Sequence, residues 1–398
     1  MTLLLLNTAL ADCIHITGAS VHTPDGPKSI DVVVRAGEIK RLGRDLDVTG
    51  CKAVDGEGRV LTYGFTEVDS QMGLVEVRME DSTLEIAGGY PSYRVADGYD
   101  PRSSVIAISR QGGVTSAVAV PTGSGIRGTS AWVDLAAQTQ AEALVDTDVA
   151  LHTALGAHAA ASLGTLRIQL DDARTYARAK SAYDRDQLRD LSLPMADLQA
   201  LQPVLRGDLP LVVQADRASD IEALLRFADE QEIRLVLRSG AEAWLMADEL
   251  AAAEVPVILD PMLYGPRTFD QLHARADNAA LLHAAGVEVM FTTGSAHNSR
   301  ELRHLAGNAV REGLPHEAAL DAITAAPARV FGVEDRGTIE VGRVANLVLW
   351  DGDPLEVTTQ ATWLMIGGNV IPLESRHTAL RDRYLTLPGS PIPAVELD

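Results

Sequence analysis

Between residues 61 and 336 short apolar runs alternate with segments of helical period, and that alternation limits the fold more than any other feature of the chain. Runs at 114–120, 211–213, 235–237, 257–259 and 287–291 are short and apolar, as buried strands are, while 219–232 and 241–254 carry apolar residues at helical spacing between consecutive runs. Strand, helix and strand in succession build a parallel sheet, because parallel neighbours need a crossover between them. Repeated over about 270 residues, the unit predicts an α/β fold, a (β/α)8 TIM-like barrel. Residues 165–200, rich in Arg and Asp, are expected to form a helical insertion on its surface.

The two ends of the chain read differently. Residues 14–22, 30–35 and 38–42 are strand-like and are separated by the turn signals Asp25-Gly26-Pro27 and Ala36-Gly37. Residues 337–341, 345–350, 361–366 and 369–371 repeat that pattern at the far end. Two such sets flanking one α/β segment imply a small β-sandwich built from both termini. The expected organisation is a signal-peptide remnant over 1–12, a composite β-sandwich from 13–60 plus 337–375, a barrel over 61–336 and a C-terminal tail over 376–398.

Composition excludes some functions. The net charge of −21 repels phosphate backbones and anionic headgroups, so nucleic acid is not an expected partner. No stretch is long and apolar enough to span a membrane. Residues 1–12 read as the tail of a secretory signal, with small residues at Ala9 and Ala11, although the apolar run covers only Leu3 to Leu6 and no basic segment precedes it. A periplasmic or secreted location follows from that reading, with a cytoplasmic one as the alternative. Cys13, after Leu10-Ala11-Asp12, has a superficial likeness to a lipoprotein attachment site. Cys13 and Cys51 can pair in an oxidising compartment, and neither has the spacing of a metal ligand.

Several motifs resemble the amidohydrolase superfamily and, within it, the imidazolonepropionase-related proteins. Residues 59–71 (RVLTYGFTEVDSQ) are similar to the family's first barrel strand, which normally ends in an H-x-H pair. Residues 113–121, 296–300, 308–315, 325–329 and 337–355 carry further similar segments. The resemblance implies a barrel with a composite β-sandwich. It also implies that histidines after strands one, five and six, with an aspartate after strand eight, would hold one or two divalent metals that activate a water. This chain departs at each station: Asp69 and Gln71 replace the pair after Glu67, Gln214 stands at strand five, Ser239 at strand six and Gly294 at strand eight. Gly294 offers no side chain to act as a general base.

No catalytic residue, metal ligand or cofactor is therefore expected. The pocket is expected to be lined by Asp69, Gln71, Gln214, Asp216, Ser239, Asp260 and His297. Among ten histidines there is no H-x-H pair, and only His297 is expected beyond a barrel strand, where it reads as a loop or helix-capping residue. A replacement chemistry would bring Asp69, Asp216 and Asp260 together around one divalent metal (Zn, Fe, Mn or Mg). The glycine-rich segment 123–128 is only faintly like a phosphate loop and reads as a structural or pocket-lining turn. Three functions remain: a catalytically inactive pseudoenzyme serving as a non-catalytic subunit, with a homo-oligomer or an active amidohydrolase paralogue as partner; a hydrolase of carbon–nitrogen bonds other than peptide bonds with an oxygen-rich metal site; and a ligand sensor or carrier.

Overall fold

The computed structural model describes residues 13–76, 88–185, 187 and 189–385. The proposed signal remnant over 1–12 lies outside them, as do 386–398 of the tail. The chain opens with β1 (Cys13–Thr17), β2 (Ser20–Thr23), β3 (Gly26–Ser29), β4 (Asp31–Arg35), β5 (Glu38–Gly43), β6 (Lys52–Asp55) and β7 (Val60–Tyr63). The eight-stranded barrel sheet follows: β8 (Phe65–Ser70), β9 (Val114–Ala119), β10 (Gly128–Asp134), β11 (Leu144–Ala154), β12 (Leu211–Ala215), β13 (Leu235–Ser239), β14 (Val257–Leu259) and β15 (Val289–Phe291). The chain then returns through β16 (Leu347–Trp350), β17 (Ala361–Ile366) and β18 (Asn369–Val370).

Both chain ends meet in one six-stranded sheet of order β18-β17-β16-β7-β2-β3, and a four-stranded sheet, β5-β4-β1-β6, is wholly N-terminal. Ile14, Ile16, Val32, Val34 and Ile39 from the smaller sheet pack with Val21, Leu61, Leu347, Leu349 and Met365 from the larger in a core of their own. That is the sandwich expected from the two strand sets. Residues 337–341, expected as a strand, are irregular, with Gly337 and Gly342 at positive φ and Val341 exposed. Residues 14–22 split into β1 and β2 at Gly18, whose φ of 72° turns the chain. Cys13 is joined to Cys51, so it is not available as a lipid attachment point.

The barrel departs from strict (β/α)8 order at one strand. β10 runs antiparallel to both β9 and β11, whereas all other neighbours in the barrel sheet are parallel. The links into and out of β10 are too short to hold a crossover helix on the sheet face, so the chain must double back. Residues 165–200 also differ from expectation. The helix Ala159–Arg178 buries Leu163, Leu166, Leu170 and Tyr176 in the main core, so it covers the barrel and is not a surface insertion.

Inside the barrel each strand contributes one apolar residue to a common layer: Val68, Val118, Trp132, Ala150, Val212, Val236, Ile258 and Met290. Side chains alternate along a strand, so residues two positions further toward the C-terminal rim also face inward. β8 carries one extra residue against β9 between the pairs Glu67↔Ala117 and Ser70↔Ala119. This bulge turns Asp69, the residue directly after inward-facing Val68, into the barrel as well.

β8 and β15 are the two ends of the hydrogen-bonded strand order, and a carboxylate ties them together. Glu67 accepts from Thr292 Oγ1 at 2.5 Å, from Thr293 N at 3.0 Å and from Thr293 Oγ1 at 2.7 Å. It is fully buried, and burial pushes its carboxyl up to about 7 against the pull of these hydrogen bonds, with Asp69 adding to the rise.

Two measurements follow from this architecture. Because the folded pKa of Glu67 lies above its unfolded value, its stabilising effect is fully present below about pH 4.5 and is lost as pH rises through about 7. The wild type is expected to lose on the order of 3 kcal/mol relative to Glu67→Gln across that window, measured by urea unfolding at both ends. The Cys13–Cys51 link closes a 38-residue separation, and replacing both by Ser is expected to cost about 4 kcal/mol, seen as a lower urea midpoint.

Candidate functional site at the barrel mouth

The mouth layer follows from the strand register. Two residues beyond the inner apolar layer stand His152 on β11, Gln214 on β12, Arg238 on β13, Asp260 after β14 and Thr292 after β15, with Asp69 supplied by the bulge in β8. Gln214 pairs directly with Arg238, and Ser239 pairs with Ala215. The inward position on β13 is therefore Arg238, one residue before the Ser239 expected from the motif.

Asp69 and Arg238 form the central contact. Arg238 Nε donates to Asp69 Oδ2 at 2.5 Å, and a second guanidinium nitrogen also reaches this oxygen. Both side chains are largely withdrawn from water, and the neighbouring carboxylate holds Arg238 above its ordinary range. A second arginine, Arg127, ends the glycine-rich segment before β10. It donates from Nε to the Gly123 carbonyl at 3.0 Å and from Nη2 to Gln214 Oε1 at 3.4 Å. Burial and the facing charge of Arg238 hold Arg127 below its usual range, with only Asp69 pulling the other way. Only Arg238 pairs directly with the buried carboxylate, while Arg127 feels its charge without a direct contact.

His152 lies beneath them. Its Nε2 is 2.8 Å from Ser130 Oγ, and burial takes its ring down to about 3, so it is a neutral imidazole at physiological pH. The reading of the histidines had placed only His297 beyond a barrel strand; His152 is the imidazole inside the barrel. It was missed because β11 enters from a hairpin, not from a helix, and its apolar run is interrupted.

The remaining expected residues are spread around the rim. Asp216 accepts from Ser239 Oγ at 2.6 Å, from Ala241 N at 3.1 Å and from Gln271 Nε2 at 3.2 Å, which fixes the turn after β12. Ser239 itself has a φ of 80°, a left-handed backbone rarely taken by a residue with a side chain. Asp260 caps Met262 N at 2.9 Å and lies 3.5 Å from Arg267. The Gln71 carbonyl accepts from Leu74 N and Val75 N. Gly294, at a φ of 60°, donates its N–H to Thr292 Oγ1 at 2.9 Å and is exposed. His297 is exposed, and its carbonyl receives Arg300 Nη1 at 2.9 Å.

This donor set does not fit a divalent metal. Asp69 is neutralised by a guanidinium, Gln214 accepts from another, the Ser239 hydroxyl is spent on Asp216, and two cations already face the space where a dication would sit. Among the described residues Asp69, Asp216 and Asp260 do not form a group with ligand atoms within 4.8 Å of one another.

Residues 246–372 match the amidohydrolase family model. Amidohydrolase tasK of Hapsidospora irregularis is 26% identical over 371 residues, covering 79% of this chain and 38% of that protein. An N-acyl-D-glutamate deacylase of Alcaligenes xylosoxydans xylosoxydans is 49% identical over 59 residues, 14% of this chain and 12% of that one. The chain spans well under half the length of these curated relatives. An amidohydrolase structure from Thermotoga maritima MSB8 superposes with a TM-score of 0.82 at 24% identity, over 90% of this chain and 99% of its own. A β-aspartyl dipeptidase from Fervidobacterium islandicum AW-1 superposes with a TM-score of 0.57 at 14% identity, over 90% and 96%. At these identities the structures speak for the fold alone. The chain is thus similar to the amidohydrolase family in sequence over 246–372 and to an amidohydrolase structure in fold.

Proposed function

We propose that the protein is an amidohydrolase-like binding protein whose barrel mouth takes a small carboxylate-bearing molecule and does not hydrolyse it. The observation that carries this reading is that Arg127 bonds to Gln214, the register partner of Arg238, while Asp69 pairs directly with Arg238 alone. Guanidinium groups in a partly dehydrated pocket bind carboxylates through paired, charge-assisted hydrogen bonds. One ligand carboxylate would balance the second guanidinium without removing Asp69. The curated relative named as an N-acyl-D-glutamate deacylase points to the same class of molecule. The branch, imidazolonepropionase-related, belongs to this proposal and rests on residues 59–71 and 337–355. A non-catalytic subunit beside an active paralogue, or a homo-oligomer, is the assembly in which such a pocket would serve. The Cys13–Cys51 link supports an oxidising, periplasmic or secreted setting, and no helix among the described residues is long and apolar enough to cross a membrane.

One observation favours a second reading, hydrolysis of a carbon–nitrogen bond. Glu67, held near 7, could exchange a proton in the physiological range. Its two oxygens are engaged by Thr292 and Thr293, however, and it has no exposed surface from which to reach a substrate.

The test uses N-acetyl-D-glutamate as probe. Calorimetry on the full chain is expected to show saturable binding that Arg127→Met weakens by at least tenfold, the loss of a charge-assisted pair. Mass spectrometry of the same mixture, supplemented with Zn²⁺, is expected to return the probe intact. Release of acetate and glutamate would overturn the binding-only reading.

A further inference from the structure

The opposite end of the barrel carries a second cluster of titratable side chains, apart from those at the mouth. β15 begins there with Val289, and the loop before it lines a cavity of about 650 Å³ shared with the β-sandwich. His22 on β2 and Glu317 on the helix His316–Asp321 line this cavity, together with Glu288 and Arg329. His22 is mostly buried, and its Nδ1 lies 3.2 Å from Glu317 Oε2. The His316 ring sits 6.1 Å from that of His22, tilted by 32°. His316 Nε2 is held by both oxygens of Asp353, at 3.0 and 2.9 Å. Four side chains from three distant parts of the sequence are thus gathered by the packing of the sandwich on the barrel.

Charge pairing alone accounts poorly for this group. The two carboxylates are exposed, so their pairs with the imidazoles contribute little, and two imidazoles side by side repel one another once both are protonated. A shared cation would use both lone pairs at once. One ligand atom from each of His22, His316 and Glu317 lies within 4.8 Å of the other two. Tetrahedral Zn²⁺ sets its nitrogen and oxygen ligands about 3.4 Å apart, so small rotations bring these atoms into place. Glu317, with 57% of its side chain exposed, is free to make the largest of them. With Nε2 held by Asp353, His316 has Nδ1 left for a metal, and a carboxylate on the other nitrogen is the arrangement that fixes the tautomer and orientation of a metal-bound imidazole.

We propose that His22, His316 and Glu317 bind one divalent transition-metal ion, Zn²⁺ foremost, with Asp353 positioning His316 and a fourth coordination position open to the adjoining cavity. Two imidazoles and one carboxylate suit Zn²⁺ over Mg²⁺ or Ca²⁺, and three protein ligands leave room for an oxygen or nitrogen of a small molecule. The site is independent of the carboxylate pocket at the mouth.

Zn²⁺ titrated calorimetrically into metal-stripped full-length protein is expected to bind at one ion per chain. The exposed change Glu317→Gln is expected to weaken binding about tenfold or more, and Asp353→Asn by a similar factor through His316. His297→Ala, at the other end of the barrel, is expected to leave it unchanged. Co²⁺ bound in place of Zn²⁺ is expected to give a visible absorption spectrum that changes with Glu317→Gln and not with His297→Ala. Absence of Zn²⁺ binding by the wild type at tenfold excess would overturn the site, as would binding that survives His22→Ala with His316→Ala. Should the double variant fail to fold, Glu317→Gln alone decides: Zn²⁺ affinity and a Co²⁺ spectrum unchanged by it would equally reject the proposal.

Discussion

A carboxylate that stays ionised inside a barrel needs compensation, since its desolvation costs several kcal/mol when nothing offsets it. In this chain the compensation for Asp69 is the Arg238 guanidinium, directly across the mouth. Much of the site's character follows from that choice. With a guanidinium engaged there, neighbouring stations do not need imidazole, and they carry an amide at Gln214 and a hydroxyl at Ser239. Arg127 brings a second guanidinium to this mouth, in a chain that is strongly acidic as a whole.

The fold was readable because its signals are periodic. Apolar runs spaced by helical segments marked five of the barrel strands, and the paired strand sets at the two ends marked the sandwich. β10 and β11 were not readable in the same way: they form a hairpin inside a parallel sheet, and Ser130, Asp146 and His152 break their apolar runs. Residues 337–341 had the composition of a strand but lie between two glycines that turn the backbone away from the sheet.

The site was partly readable. The motif over 59–71 located Asp69 and Glu67, but register and not motif decides which residue on β13 faces inward, and that is Arg238. A charge closing the run Leu235-Val-Leu was the available signal for it. Arg127 was hidden in a glycine-rich turn whose composition spoke only of backbone shape. The grouping of His22 with His316 could not be read at all, since 293 residues of intervening chain are brought round only by the pairing of β16 with β7.

The bulge in β8 bears on how such a mouth could change through time. It adds one residue just where the strand reaches the rim, and that residue sets which side chains after Val68 look inward. A single-codon deletion of Asp69 would restore regular pairing with β9 and remove the carboxylate from the mouth. Arg238 would then lose its partner while the strand kept its pairing with β9. Insertions and deletions of one residue at this spot can therefore reverse the charge balance of the pocket in a single step, a route open to lineages of this barrel that point substitutions would take much longer to travel.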